Sequence, residues 1–243
     1  MKKLILISGP SCVGKGPLLA ALQRFYCQFN DIPEIPVIRS WNSRPDGQPR
    51  DEKEKKLWFN EEYFLPEDKF AKLDRARYFV GKCRDTSQAV DLEKITKSDG
   101  ERLILEIYYE LGTSLASHPF LENEIDVKTV FISPVSLDEL NLLRHNNIDT
   151  DEYIRNLMIN KQILRDIFKH KGLTQESIKS FISRAKRTPD EVNFLMSSYD
   201  KVIVCRDGEG HSNWKQAPDG EFEGTPPTGN AGRALEELAS FLS

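Results

Sequence analysis

The residues with the clearest chemical potential lie near the start of the chain. A short apolar run, Leu4–Ile7, leads into the glycine-bounded segment Gly9–Lys15 (GPSCVGK), and apolar residues then recur at helical spacing. A buried strand, a glycine-bounded loop and a helix in this order are typical of a phosphate-binding loop, because the unpaired N–H groups at a helix N-terminus attract anions. The pattern predicts that Lys15 places its ammonium against the terminal phosphates of a nucleotide.

The same segment has a plainer interpretation, a turn that ends a buried strand and leaves Lys15 in solvent. One position departs from the phosphate-loop pattern, because the residue after the lysine is normally Ser or Thr, whose hydroxyl binds Mg²⁺, and here it is Gly16. Pro17 is compatible with a first helical turn, where a missing N–H costs little. The residues predicted to contact the nucleotide are Gly9, Pro10, Ser11, Cys12, Val13, Gly14, Lys15, Gly16 and Pro17.

The composition limits the classes of protein that fit. In 243 residues, 39% hydrophobic content is enough for a core, and the net charge of −4 argues against general nucleic-acid binding. The few residues before the phosphate-binding segment are too short for a signal peptide, and no apolar run is long enough to span a bilayer. The four cysteines show no CxxC pairing, which is typical of reduced thiols. We therefore expect a cytoplasmic protein that binds neither membranes nor nucleic acid, and a homodimer is compatible with the sequence.

Strands and helices alternate along the chain, which predicts a parallel sheet covered by helices on both faces. The expected fold is α/β, a P-loop NTPase domain of three α/β/α layers. We divide this single domain into a P-loop core (1–36), an acceptor-binding subdomain (37–98), a further core segment (99–135), a helical lid with an insertion (136–187) and a last core segment with the C-terminal helix (188–243).

Local patterns predict several individual elements. The segment Thr86–Val90 is expected to begin a helix, and the strand before it to turn at Gly81. Capping boxes are predicted at Ser136/Glu139 and at Thr188/Glu191. The remaining expectations are that Glu61–Phe64 is a short helix, that the charge run Asp51–Lys56 is solvated, and that Trp214 and Phe222 pin the C-terminal loop.

Taken together, these features resemble the guanylate kinase family of nucleoside monophosphate kinases. The Gly-Pro-Ser opening of the phosphate-binding segment is close to that family's, and Ser40–Gly47 is similar to its acceptor-phosphate loop, with Arg44 at a matching position. This chain has Gly47 at the position of the family's second arginine, and we expect Arg50 to take the place of that arginine. Lys171–Ile178 resembles part of the family's lid, and Arg184 follows at a similar spacing.

The resemblance implies ATP and Mg²⁺ as cofactors and a nucleoside monophosphate, GMP first, as the acceptor. Phosphoryl transfer needs positive charge around the transferred group, and the residues expected to supply it are Lys15, Arg44, Arg165 and Arg184. The implied acceptor residues are Ser40, Arg44, Arg50, Gly81 and Glu106. Glu106 would also hold Mg²⁺ through water, and Asp74 is the nearest candidate for the family's guanine-reading acid.

Other interpretations stay open at this point. Arg165 and Arg184 also fit the solvated faces of amphipathic helices. The departures at Gly16, Gly47, Leu57 and Tyr108 favour a catalytically weakened relative that binds a nucleotide or a protein. A kinase for a different small acceptor is the third alternative.

Overall fold

A computed structural model describes residues 1–44, 47–49, 52–83, 86–122, 124–170, 172–195 and 198–243. Its strands are β1 (Lys2–Ser8), β2 (Val37–Ser40), β3 (Phe64–Leu65), β4 (Tyr78–Cys83), β5 (Thr86–Asp91), β6 (Arg102–Glu106), β7 (Ile125–Ser133) and β8 (Lys201–Val204). Its helices are α1 (Lys15–Phe25), α2 (Glu52–Leu57), α3 (Glu67–Phe70), α4 (Leu92–Lys97), α5 (Tyr109–Ala116), α6 (Pro119–Glu122), α7 (Leu137–His145), α8 (Thr150–Phe168), α9 (Gln175–Leu195) and α10 (Gly229–Leu242).

Four strands form a parallel sheet in the order β6-β1-β7-β8, with helices flanking it. In β1 the residues Leu4–Ile7 are at most 1% exposed. A continuous apolar run of this kind is what a parallel strand covered on both faces requires. This sheet confirms the predicted α/β class.

The contacts divide the chain into two compact units, which we describe separately. Unit 1 comprises Met1–Ser8 and Ile32–Thr129, and unit 2 comprises Gly9–Asp31 and Val130–Ser243. The subdomain boundaries predicted from the sequence stay predictions.

Unit 1 contains the parallel pair β1–β6, in which Ile7 lies opposite Glu106. It also contains a second sheet in the order β3-β2-β5-β4, where β5 pairs antiparallel with both β2 and β4. A buried apolar cluster that includes Leu4, Val37 and Leu103 packs between these elements.

Three local predictions in unit 1 were wrong. Thr86–Val90 lies in strand β5 and not in a helix, and Gly81 lies inside β4, opposite Gln88, and not at a turn. The β-branched Thr86 and Val90 favour a strand once β4 offers a hairpin partner. The predicted helix at Glu61–Phe64 was also wrong, since Glu61–Tyr63 forms a turn and Phe64 begins β3.

Unit 2 contains the parallel pair β7–β8, in which Ile132 lies opposite Ile203. The capping box is confirmed at Ser136, whose hydroxyl accepts from the Glu139 N–H at 3.1 Å. Asp149 caps α8 through the N–H groups of residues 151 and 152. Long helices α8 and α9 then pack against each other as a pair.

The second predicted capping box was wrong. Helix α9 continues through Thr188, and Pro189 lies inside it. The Thr188 hydroxyl donates to the Arg184 carbonyl oxygen at 3.3 Å and does not cap a helix. A threonine in a helix interior satisfies its hydroxyl in this way.

The long loop before α10 is fixed by two aromatic side chains, as predicted. Trp214 is 1% exposed, and its indole N–H donates to the carbonyl oxygens of Asp207 and Gly208 at 3.2 and 3.1 Å. Phe222 packs edge-on against Phe25 with ring centroids 5.1 Å apart.

In the described part of the chain, none of the helices has both the length and the apolar content needed to cross a membrane.

Candidate functional site

The phosphate loop, Gly9–Lys15, connects β1 to α1. Gly14 is the N-cap of α1, no side chain caps this end of the described helix, and its first turn holds no acidic residue. The helix therefore presents backbone N–H groups and a partial positive charge that no neighbouring side chain in the turn offsets. These are the properties that stabilise a bound phosphate.

Lys15 curls back over the loop that precedes it. Its Nζ donates to the carbonyl oxygens of Gly9 at 2.8 Å and Pro10 at 3.0 Å. Both contacts hold the ammonium at the loop, beside the start of α1. Phosphate oxygens are stronger acceptors for an ammonium than amide carbonyls, so a phosphate entering the loop can take over these bonds.

Two glycines allow the loop to pack closely within unit 2. At Gly9 (φ 147°) an added Cβ would lie 2.4 Å from the Ile132 carbonyl oxygen. At Gly14 (φ 117°) it would lie 2.8 Å from the Cys205 sulfur and 2.9 Å from the Asp207 carbonyl oxygen. Any other residue at either position would therefore combine a strained backbone with a steric clash.

Arg165 reaches the phosphate loop from α8. Its Nη1 donates to Cys12 Sγ at 2.8 Å, and its Nη2 lies 2.7 Å from the Asp166 carboxylate. Burial by itself would lower the pKa of Arg165, but Cys12 and Asp166 outweigh it and the pKa is raised. With its side chain only 18% exposed, Arg165 does not belong to a solvated helix face.

Arg184 and Glu106 are the other residues predicted to act on the ATP side of the reaction. Arg184 is half-buried on α9, and Glu106 is exposed at the carboxyl end of β6. Among the described residues, no group of three or more His, Cys, Asp or Glu side chains could hold a metal ion. The roles of Arg184 in catalysis and of Glu106 in holding Mg²⁺ through water stay predictions.

The acceptor-side Arg44 is engaged in an internal ion pair. Its Nη2 and Nε donate to the Glu54 carboxylate at 2.6 and 3.0 Å, and the two side chains are 9% and 8% exposed. The guanidinium also lies over the Phe64 ring, 5.4 Å from its centroid. The prediction that the charge run Asp51–Lys56 is solvated was therefore wrong for Glu54. Arg50 lies outside the described residues.

A second acid, Glu67, lies among hydroxyl groups in unit 1. Its carboxylate accepts hydrogen bonds from the Ser87 hydroxyl at 2.5 Å and the Ser87 N–H at 3.2 Å. Partial burial would raise the pKa of Glu67, but hydrogen bonds from Ser40 and Ser87 and the charge of Lys82 outweigh it, so its pKa is lowered. The ionised Glu67 carboxylate therefore lies against Ser87 of β5 and Ser40 at the end of β2.

Two other acceptor-side predictions concern Asp74 and Gly81. Asp74 is exposed, and its carboxylate accepts from the Ala76 N–H within its own turn, 2.9 Å away. Gly81 has a packing role, because an added Cβ would lie 2.1 Å from Leu111 Cδ2.

No family model matches the chain, and no curated protein matches it. Among solved structures, a guanylate kinase from Anaplasma phagocytophilum is 17% identical, with 99% of this chain and 82% of that chain covered and a TM-score of 0.47. A fungal RNA kinase is 13% identical, with 100% and 85% covered and a TM-score of 0.41. A shikimate kinase from Bacteroides thetaiotaomicron is 13% identical, with 99% and 98% covered and a TM-score of 0.35.

Sequence reasoning missed Glu54 and Glu67. Glu67 directly follows Pro66 and begins α3, a position where an acid is common for helix-dipole reasons alone. Glu54 lies in a run of alternating charges, which has the appearance of surface. Only the pairing of β2 with β3 and β5 reveals which side chains meet these carboxylates.

The two glycines that flank Lys15 give a direct test of the loop geometry. We expect Gly14→Ala to lower the free energy of unfolding by about 2–4 kcal/mol, because of the clash and the positive φ. Gly16→Ala is the matched control, since a Cβ added there would have no neighbouring atom within 4 Å. It should leave stability within about 1 kcal/mol of wild type. Urea denaturation measures both, and equal losses for the two variants would contradict the close approach at Gly14.

Proposed function

We propose that this protein is an ATP-dependent kinase that transfers the γ-phosphate to a nucleoside monophosphate, with GMP as the first candidate acceptor. The observation that carries this proposal is the phosphate loop, where an uncapped helix N-terminus and the Lys15 ammonium converge. The resemblance of its sequence to the guanylate kinase loop is the reason for naming GMP first.

On the donor side, the loop N–H groups and Lys15 would bind the β- and γ-phosphates of ATP. Arg165, which contacts Cys12 in the loop, would add a second positive charge, and Arg184 a third. Positive charge at these oxygens is the main requirement for phosphoryl transfer. Mg²⁺, when bound, neutralises phosphate charge, and Glu106 is the carboxylate that we propose to hold it through water.

On the acceptor side, Arg44 is the proposed ligand of the monophosphate. A guanidinium binds two phosphate oxygens through its planar fork, which suits a phosphate group better than a lysine does. The fork is bound to Glu54 in the structure, so an acceptor phosphate would have to replace that carboxylate.

We propose that the base of the acceptor donates hydrogen bonds to the Glu67 carboxylate. Guanine presents two adjacent donors, N1–H and the 2-amino group, and a carboxylate offers two acceptor oxygens at matching spacing. Adenine presents an acceptor at N1, which an ionised carboxylate repels. Because the pKa of Glu67 is lowered by Ser40, Ser87 and Lys82 against the effect of burial, the acid stays charged at neutral pH. The carboxylate therefore favours guanine.

A weakened, nucleotide-binding module is the second candidate. Two observations favour it: Gly16 carries no hydroxyl for Mg²⁺, and the Arg44 charge is already neutralised by Glu54. A protein of this kind would bind ATP at the phosphate loop and transfer nothing.

An ADP-release assay over the common ribo- and deoxyribonucleoside monophosphates tests the proposed function. We expect turnover with GMP or dGMP and a loss of at least about 10³-fold in kcat for Lys15→Met, because the main transition-state charge is removed. Lys97→Met is the matched control, since Lys97 is exposed on α4 and pairs with Glu93 one turn away. ATP binding without turnover on any monophosphate would support the module and contradict the kinase.

The Glu67 assignment makes a separate prediction about specificity. We expect Glu67→Gln to reduce kcat/KM for GMP by about 10²-fold or more, because the new amide N–H₂ faces the donors of guanine. IMP, which lacks the 2-amino group, should be affected less, so the ratio of GMP to IMP efficiency should fall. Asp68→Asn, on the same helix and exposed, is the control. An unchanged GMP to IMP ratio in Glu67→Gln would remove Glu67 from the base site.

A further inference from the structure

Lys161 is a buried cation that the proposed mechanism does not use. It lies on α8, four residues before Arg165, and is 3% exposed. Its Nζ donates to the Cys205 carbonyl oxygen at 2.9 Å. Among the residues that the structure describes, no carboxylate lies within 4 Å of this nitrogen, so the ammonium is buried without an ion pair.

The charged and titratable groups around Lys161 do not compensate its charge. Burial lowers the pKa of Lys161 to about 8, against the opposing effects of Cys205, Asp207 and Cys12, while Arg206 lowers it further. The same burial raises the pKa of Cys205 to about 11, so that thiol is neutral at physiological pH. Asp207 is the acid that acts on Lys161, and its Oδ2 already accepts from the Ala231 N–H and from Asn213 Nδ2 at 2.8 and 2.9 Å.

The position of Lys161 connects it to the phosphate loop within unit 2. Gly208 lies between them: an added Cβ there would be 2.8 Å from Lys161 Cγ and 3.2 Å from the Cys12 carbonyl oxygen. One turn further along α8, Arg165 donates to Cys12 Sγ. Helix α8 therefore contributes two cations on the side of the loop. Arg165 contacts Cys12 directly. Lys161 is separated from Cys12 by Gly208 and has no carboxylate partner among the described residues.

We propose that Lys161 is the proton-linked counter-charge of the phosphate loop, so that binding of a polyphosphate and protonation of Lys161 strengthen each other. The proposal rests on the proposed function, because it takes the ligand of the loop to be ATP. A negative ligand near an ammonium favours the charged form, and the pKa of Lys161 then rises on binding. The bound phosphates of ATP then offset the free-energy cost of burying the Lys161 ammonium without an ion pair.

The direction of the pH dependence follows from this linkage. Below about pH 7 the lysine is protonated with or without ligand, so its proton linkage does not change the affinity there. Above about pH 8 the free protein has lost the proton and must take it up to bind, so affinity falls by up to about tenfold per pH unit until the pKa of the complex is reached. The phosphates of ATP do not contribute there, because their last ionisation is complete well below this range.

Isothermal titration calorimetry with ATP provides the test. At about pH 8.5, wild type should take up a measurable fraction of a proton, seen as a binding heat that depends on the ionisation enthalpy of the buffer. Lys161→Met keeps the unbranched chain without the charge, and should take up clearly fewer protons than wild type and lose affinity less steeply between about pH 7.5 and about pH 9. Lys179→Met, an exposed lysine on α9, should behave as wild type.

The possible results separate this inference from the proposed function. ATP binding at about pH 7.5 with no proton uptake at about pH 8.5 would overturn the role of Lys161 and leave the nucleotide site intact. No ATP binding at any pH would overturn both. If Lys161→Met does not fold, NMR titration of the Lys161 side-chain nitrogen in wild type decides, since its pKa must rise when ATP is added, and an unchanged value contradicts the linkage.

Discussion

The close approach of the phosphate loop to its neighbours within unit 2 is the constraint on which the site depends. Gly9 lies against the Ile132 carbonyl, and Gly14 lies against Cys205 and Asp207, at distances that leave no room for a Cβ. The loop can approach these neighbours so closely only because these two positions are glycine. Lys15, which follows directly, is held at the loop by the carbonyl groups of the same turn.

The phosphate loop in unit 2 and the Arg44 loop in unit 1 differ in the charges that surround them. Around the phosphate loop, Lys161 has no carboxylate partner among the described residues, and Arg165 pairs with Asp166 while Glu209 also acts on it. Around the acceptor loop, Arg44 is neutralised by Glu54 in a buried pair. A polyphosphate at the loop would therefore offset the buried charge of Lys161, whereas an acceptor phosphate would exchange with an internal carboxylate.

The elements with strong local signals were predictable from the sequence. The run Leu4–Ile7, the glycine-bounded loop and the capping group Ser136 each specify their structure through nearby residues. Elements that depend on distant partners were not predictable. Thr86–Val90 became a strand because β4 and β2 pair with it, and Thr188 could not cap a helix because α9 runs through it.

The residues of the candidate site also divide into those with a local sequence signal and those that depend on distant partners. The phosphate loop is contiguous in sequence, so its glycines and Lys15 could be identified directly. Glu67 and Ser87 are twenty residues apart, and Lys161 reaches Cys205 across forty-four. No local pattern marks such pairs, since each residue alone is an ordinary helix or strand residue.

A crystal structure with a non-hydrolysable ATP analogue and Mg²⁺ tests the central claim most directly. We expect the β- and γ-phosphates to lie within hydrogen-bond distance of the loop N–H groups, and Lys15 Nζ to leave the carbonyl oxygens of Gly9 and Pro10 for a phosphate oxygen. An analogue bound elsewhere, with Lys15 still on its own loop, would contradict the nucleotide-binding role of this loop.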